Sequence, residues 1–261
     1  MDGELTRRRE VFQFRSDRPS ETTVSLVQEV PFTIFLNGRE FVTLLCTGHH
    51  LDELALGFLR SEGILRSRAD IRSLLADPEA GTARVDLADD SPLRQELFMK
   101  RTLASGCGRA SVYYQPLDAL EIRPMEAPLR VKAAQIRERM REMNLGSPLY
   151  RETRGTHNAA LAQADRLLVS REDIGRHNAV DMIVGFALRE GLDLSDKVLL
   201  TTGRASSEIV LKAARVGIPL LVSRSASTDL AVEIAERVGM TLVGYVRGDK
   251  MIVYTHPERV T

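Results

Sequence analysis

The sequence predicts an α/β protein, with an N-terminal α+β lobe and a C-terminal α/β lobe in which a sheet is layered with helices. Three observations predict it. In the C-terminal half, short apolar, β-branched runs alternate with longer helical segments, the order expected of strands joined through crossover helices. In the N-terminal part, two apolar runs are joined by Asn37-Gly38, a tight-turn signal for neighbouring antiparallel strands. Between the two halves, Pro116, Pro124 and Pro128 interrupt any regular pattern. The reading is therefore a variable tail over 1–22, an N-terminal lobe over 23–126 and a C-terminal lobe over 127–261. The 261 residues suffice for one large domain or two modest lobes.

Taken in order, the first ten residues are charged, and Arg7, Arg8 and Arg9 read as a solvated tail, not a secretory signal. Strands are expected over 23–30 and 32–36, then, after the Asn37-Gly38 turn, over 41–46. Leu51, Leu54, Phe58 and Leu59 share a face at helical spacing, and Gly63 stands where a helix stops, so 50–62 is read as a helix. Residues 83–87 alternate as a strand. Strong helix formers over 131–144, with Ile136, Met140 and Met143 on one side, give the next helix. Strands are then expected at 166–170, 198–202, 220–223, 242–246 and 251–254. Helices are expected at 177–189, 206–216 and 228–238.

Composition narrows the function classes. Lysine plus arginine number 36 against 36 acidic residues, so no global positive field favours nucleic acid or an acidic membrane, and any anion site has to be local. No stretch approaches the ~20 apolar residues that span a bilayer. Cys46 and Cys107 cannot build the disulfide framework of a small secreted domain, which points to a reducing, cytoplasmic setting.

Four places hold chemistry-bearing residues. Cys107 sits between Gly106 and Gly108, with Arg101 and Arg109 nearby, which suits an exposed thiol that ionises; a small residue in a glycine turn is the bland alternative. Cys46, in an apolar run, reads as a buried hydrophobe. The turn holding Gly203, Arg204 and Ser206 follows a strand and opens a helix, so its free amides suit a phosphate, although Ser206 or Ser207 would equally serve as a helix cap. Arg176 and His177 lie where another strand gives way to a helix, a place where open α/β sheets bind ligands, or where surface residues simply cap. His157-Asn158 reads as a similar helix start, with a structural histidine. Tyr245, Val246, Arg247, Gly248, Asp249 and Lys250 join two strands. An aromatic ring, two cations and a glycine are suitable materials for a nucleobase and its phosphates, or for an ordinary charged hairpin turn.

Several strings together resemble the formate dehydrogenase accessory sulfurtransferase (FdhD/NarQ) family. They are Glu29-Val30-Pro31, Ala55-Leu56-Gly57-Phe58, Ser61-Glu62-Gly63-Ile64, Ser105-Gly106-Cys107-Gly108, Glu172-Asp173-Ile174-Gly175-Arg176-His177-Asn178-Ala179, Gly203-Arg204-Ala205-Ser206, Leu230-Ala231-Val232 and Tyr254-Thr255-His256-Pro257. The resemblance implies a cytidine deaminase-like three-layer C-terminal lobe, often in a homodimer. It also implies sulfur transfer from a cysteine desulfurase to the molybdenum bis(molybdopterin guanine dinucleotide) cofactor of formate dehydrogenase. By the same resemblance, Cys107 holds the persulfide and the guanine dinucleotide lies near Tyr245 to Lys250. The family loop often reads Cys-x-x-Cys; here the second position is Ala110, which leaves a non-catalytic cofactor chaperone as the alternative. A zinc deaminase needs a catalytic Glu two residues after its first ligand, plus a cysteine pair. The nearest string is His157-Asn158-Ala159, so neither zinc nor deamination is expected.

Overall fold

The computed structural model describes residues 5–89 and 124–261. The tract containing Arg101, Cys107, Arg109 and Ala110 lies outside the described residues. The chain opens with a two-stranded ribbon, β1 (Thr6–Arg15) and β2 (Arg18–Val27), paired antiparallel along its full length. Most of the stretch read as a tail is thus paired backbone. Its arginines hid the strand pattern, because neither face of the ribbon is deeply buried and no apolar alternation was required. Arg7, Arg8 and Arg9 are exposed, as expected.

A four-stranded sheet follows, built from β3 (Val30–Leu36), β4 (Arg39–Cys46), β5 (Ile71–Asp77) and β6 (Thr82–Leu87), in the order β4-β3-β6-β5. Asn37 and Gly38 both take positive φ and close the β3–β4 hairpin. Helix α1 (Leu51–Ser61) packs its apolar face on this sheet, burying Leu54 and Leu59 completely with Phe32 and Ile34. Cys46 belongs to this core. It is fully buried, and burial, reinforced by the nearby Asp173 charge, pushes its thiol up to about 12, so it stays protonated at neutral pH.

The second half is a six-stranded sheet in the order β12-β11-β10-β9-β7-β8. Its strands are β7 (His157–Ala162), β8 (Leu167–Asp173), β9 (Val198–Thr201), β10 (Leu220–Ser223), β11 (Thr241–Arg247) and β12 (Lys250–Thr255). β9, β10 and β11 run parallel, whereas β7 and β12 run against their neighbours. Helix α2 (Ala133–Leu145) covers one face through Ile136, Met140 and Met143, and a short helix, α3 (Pro148–Thr153), follows it. On the other face lie α4 (Arg176–Arg189), α5 (Ser207–Arg215) and α6 (Asp229–Arg237). Helices therefore flank this sheet on both sides, in three layers. No helix among the described residues is long and apolar enough to cross a membrane.

The halves meet where α1 crosses α4. A Cβ on Gly57 would lie 1.6 Å from the Asp181 carbonyl oxygen, and one on Gly185 would lie 1.8 Å from that of Glu53, so the two backbones touch. Buried charge ties the same crossing. Glu53 accepts from Arg171 Nε at 2.6 Å and Nη2 at 2.8 Å, and Arg189 Nη2 lies 3.0 Å away. Lys212 of α5 donates to both Asp181 oxygens at 2.9 Å and to Glu62 at 3.1 Å. Burial alone would lower the Lys212 ammonium, but Asp181 and Glu62 outweigh it and hold it above its usual range, so it stays charged.

Candidate functional site

Because β9, β10 and β11 are parallel and β8 runs with them, the loops leaving all four gather along one edge of the sheet, outside the carboxyl ends of the strands. This is where open α/β sheets receive ligands. Of the residues singled out in the sequence, His157, Arg176, His177, Gly203, Arg204, Ser206 and the 245–250 hairpin lie along this edge.

The first loop is anchored by Asp173, at the end of β8. One carboxylate oxygen accepts from the Thr47 amide at 2.8 Å and its hydroxyl at 3.1 Å. The other accepts from the Gly175 amide and Asn178 Nδ2, both at 2.8 Å. Burial raises the Asp173 carboxyl, while these four donors pull it back. The anchor fixes the start of α4 and hence Arg176 and His177. The Arg176 side chain lies flat on Gly203, where an added Cβ would come within 2.8 Å of Arg176 Cβ. Gly203 is therefore required by close approach, not by an unusual φ. His177 Nε2 stands 2.8 Å from Glu208 Oε2, and this close contact holds Glu208 below the usual carboxylate range against the opposing effect of burial.

His157 does not begin a helix. It opens β7, and the Asn158 amide donates to Thr202 Oγ1 at 2.9 Å while the Thr202 amide donates to the Asn158 carbonyl at 2.9 Å. The helix-forming alanines of this segment serve in a central strand that is buried almost throughout, so tertiary packing overrides local preference. Burial, then Arg176 and His177, lower the His157 imidazole below its ordinary value.

In the second loop Ser206 occupies the N-cap position of α5, but its hydroxyl caps no amide and is buried without a hydrogen-bond partner among the described residues. The equivalent Thr228, in the loop after β10, does cap, accepting from the Ala231 amide at 3.4 Å. Arg176 Nε is likewise buried and unpartnered among the described residues. Arg204, on the same turn, is exposed. Thus three cationic or hydroxyl groups beside the start of α5 have hydrogen-bonding capacity left for a ligand.

The loops are stitched together. Ser223 Oγ donates to the Gly203 carbonyl at 2.7 Å, and the Ala205 amide donates to the Ala226 carbonyl at 3.0 Å. The Tyr245 amide donates to the Ser225 carbonyl at 2.9 Å, and Arg247 Nε donates to the Arg224 carbonyl at 3.3 Å. Tyr245 has φ of 54° within a register shift of the β11–β12 ladder, and this bulge turns its ring outward, 43% exposed. Gly248, at φ 60°, turns the hairpin beside exposed Asp249 and Lys250. Val246 departs from its neighbours: it is 3% exposed and packs in the core beneath α2, so its side chain anchors the hairpin.

Between the hairpin and α2 lies an open depression of about 690 Å³, lined by Tyr245, Arg247, Asp249, Lys250 and Ile252, with Arg137 of α2. Sequence reasoning passed over Arg137 and the 224–227 loop. Arg137 sits in a charged helix whose periodic signal concerned only its apolar side, and no local motif marks it.

Comparisons with known proteins agree with this architecture. The model of the FdhD/NarQ family matches residues 27–261. The chain is 38% identical over 260 residues to the sulfur carrier protein FdhD of Bacillus subtilis (strain 168), covering 100% of this chain and 99% of that one. It is 40% identical to the protein of the same name from Geobacillus kaustophilus (strain HTA426), with the same coverage. Its fold is similar to a crystal structure from Desulfotalea psychrophila, designated a formate dehydrogenase accessory protein. The TM-score is 0.82 at 30% identity, over 98% of this chain and 100% of the other. With the sheet, the edge loops and the bulged hairpin all lying within the matched span, the chain belongs to the FdhD/NarQ family.

Proposed function

We propose that this chain is a sulfur carrier for formate dehydrogenase. It would take sulfur from a cysteine desulfurase on Cys107 and deliver it to the molybdenum bis(molybdopterin guanine dinucleotide) cofactor, held along the carboxyl edge of the six-stranded sheet. The observation that carries the reading is the meeting, on that edge, of cations and hydroxyls unpaired among the described residues with an outward-turned aromatic ring. Arg176, His177, Gly203, Arg204 and Ser206 would receive phosphate. Tyr245 would stack on a base, while Arg247 and Lys250 neutralise charge and Gly248 and Asp249 shape the turn. The relatives named sulfur carriers match along the whole chain, which supports the same role here. The three-layer second half supports the cytidine deaminase-like fold that the resemblance implies, and the reading includes a homodimer.

In the carrier step, the Cys107 thiolate attacks the terminal sulfane sulfur of the donor's persulfide. A new S–S bond forms on Cys107, the donor's S–S bond breaks and its cysteine leaves as thiolate. Because Ala110 stands at the second loop position, no neighbouring thiol there can release the sulfur; the client's metal centre, a reductant or a second protein has to accept it. Incubation with a desulfurase and cysteine is expected to add one sulfur to the wild-type mass and none to Cys107→Ala. An unmodified wild type counts against the carrier step. Ala110 favours one second reading, a cofactor-binding chaperone without covalent chemistry. In a strain lacking its own accessory protein, a chaperone would restore formate oxidation even as Cys107→Ala, whereas a carrier would not.

A further inference from the structure

We propose that the β1–β2 ribbon is a docking arm, and that it fits an acidic surface of the client dehydrogenase that receives the cofactor. The proposal rests on the reading that the carboxyl edge of the six-stranded sheet delivers to that client.

Pairing sorts the ribbon's side chains onto two faces of different chemistry. Residues directly opposite in an antiparallel ladder share a face, and neighbours along a strand alternate. Arg7 lies opposite Leu26, Arg9 opposite Val24 and Arg15 opposite Arg18, so one face carries four arginines and not one carboxylate. All four are exposed, and none has an ion-pair partner among the described residues. Leu26, 47% exposed, and Val11 lie among these cations. Glu10 and Glu21 are on the opposite face with Phe12 and Phe14, each phenyl ring 69% exposed. Every residue from Phe12 to Glu21 is exposed, so the outer half of the ribbon stands clear of the body on both faces.

The root of the arm is fixed beside the candidate site. The Gln28 amide donates to the Leu5 carbonyl at 2.9 Å, and Thr6 Oγ1 donates to Glu152 of α3 at 3.2 Å. A Cβ on Gly155 would lie 2.8 Å from Val27 Cγ1, so the ribbon base packs directly on the turn between α3 and β7. Two residues further on, His157 opens β7 at the carboxyl edge and feels the charges of Arg176 and His177. A partner seated on the arm is therefore brought up to that edge. The match to the family model starts at residue 27, the last residue of the ribbon, so the arm is an addition to the shared framework.

Chemistry selects among partners. Four cations with apolar side chains between them suit a protein face that carries carboxylates, whereas a formal net charge of zero gives no long-range pull toward nucleic acid. A second copy would set arginine against arginine. One ribbon face, about 33 Å by 10 Å, also falls well short of the roughly 800 Å² per partner of a stable interface. A small, charge-guided contact forms and releases quickly, as delivery requires.

The test is biolayer interferometry of the full-length protein against the cofactor-free formate dehydrogenase of the same organism, over about 50–300 mM salt. Wild type is compared with a glutamine set (R7Q, R9Q, R15Q and R18Q together) and a charge-keeping set (R7K, R9K, R15K and R18K together). Wild-type affinity is expected to fall about tenfold across the salt range, and the glutamine set to bind about tenfold more weakly at low salt and respond little to salt. The charge-keeping set is expected to stay within about threefold of wild type. Sulfur uptake from the desulfurase and the urea midpoint are expected to be the same in all three. Equal binding by wild type and the glutamine set, no binding by wild type, or lysines that rescue nothing each overturn the proposal. So do sulfur uptake lost only in the glutamine set, which assigns the arm to the donor, tighter binding to duplex DNA than to the dehydrogenase, and a dimer that the glutamine set turns into a monomer. A wild type that docks through the arm yet takes up no sulfur instead removes the carrier reading and leaves the arm in place.

Discussion

Two concentrations of charge in this molecule are treated in opposite ways. Beneath α1, Lys212, Asp181 and Glu62 are buried and each satisfied by the others, and Glu53 is grasped by two arginines. Along the carboxyl edge of the six-stranded sheet, among the described residues, Arg176 Nε and Ser206 Oγ have no partner, and Arg137, Arg247 and Lys250 outnumber the carboxylate beside them. Saturated charge fixes how elements sit, whereas charge with spare donors waits for something to bind. The contrast separates structural from functional residues by their remaining hydrogen-bonding capacity, not by their type.

The largest effect should come from the saturated cluster. Lys212→Met strands Asp181 and Glu62 without a cation and is expected to cost about 3–5 kcal/mol in urea unfolding. A loss below about 1 kcal/mol would erase the distinction. Gly203→Val drives a side chain into Arg176 and is expected to cost roughly 1–3 kcal/mol; a stability matching wild type in thermal melts would show that Arg176 moves aside freely. Next comes a matched pair: Thr228→Ala is expected to cost about 1 kcal/mol, because that hydroxyl caps α6, whereas Ser206→Ala should cost a few tenths at most, because its hydroxyl caps nothing. Equal losses would mean that Ser206 is structural after all.

The smallest effect concerns pH. The His157 imidazole is lowered on folding, so the unfolded chain binds its proton more readily. Stability from this residue is therefore fully present above the ordinary histidine range of about 6.5 and is lost as pH falls below it. His157→Gln should flatten the slope of stability against pH in that window, measured by urea midpoints; an unchanged slope would sink the assignment.

Much of this was legible in the chain itself. Asn37-Gly38 announced its hairpin because both residues tolerate the positive φ the turn demands. The strand–helix alternation of the second half placed Gly203, Arg176 and Tyr245 at strand ends, where topology then brought them together. What escaped was whatever depends on distant partners. The segment holding Ala159 and Ala160 looks helical in isolation and becomes a strand because the sheet closes around it. Strand β5 sets Leu74 and Leu75 side by side between Ser73 and Ala76, too little alternation to declare itself. Arg137 reaches its hollow from another element, and no spacing in sequence encodes a meeting across a sheet.

The cross-links between the edge loops carry one more consequence. Gly203 is joined to Ser223, the Ser225 amide rests on the same Ser223 hydroxyl, and Ser225 in turn holds Tyr245. A load applied at the first turn is therefore passed sideways across three successive strands to the aromatic ring, much as a stiff lip spreads force from one end to the other. A ligand touching only one end would slow amide exchange along the whole lip, so the proposed phosphate and base positions would tighten together.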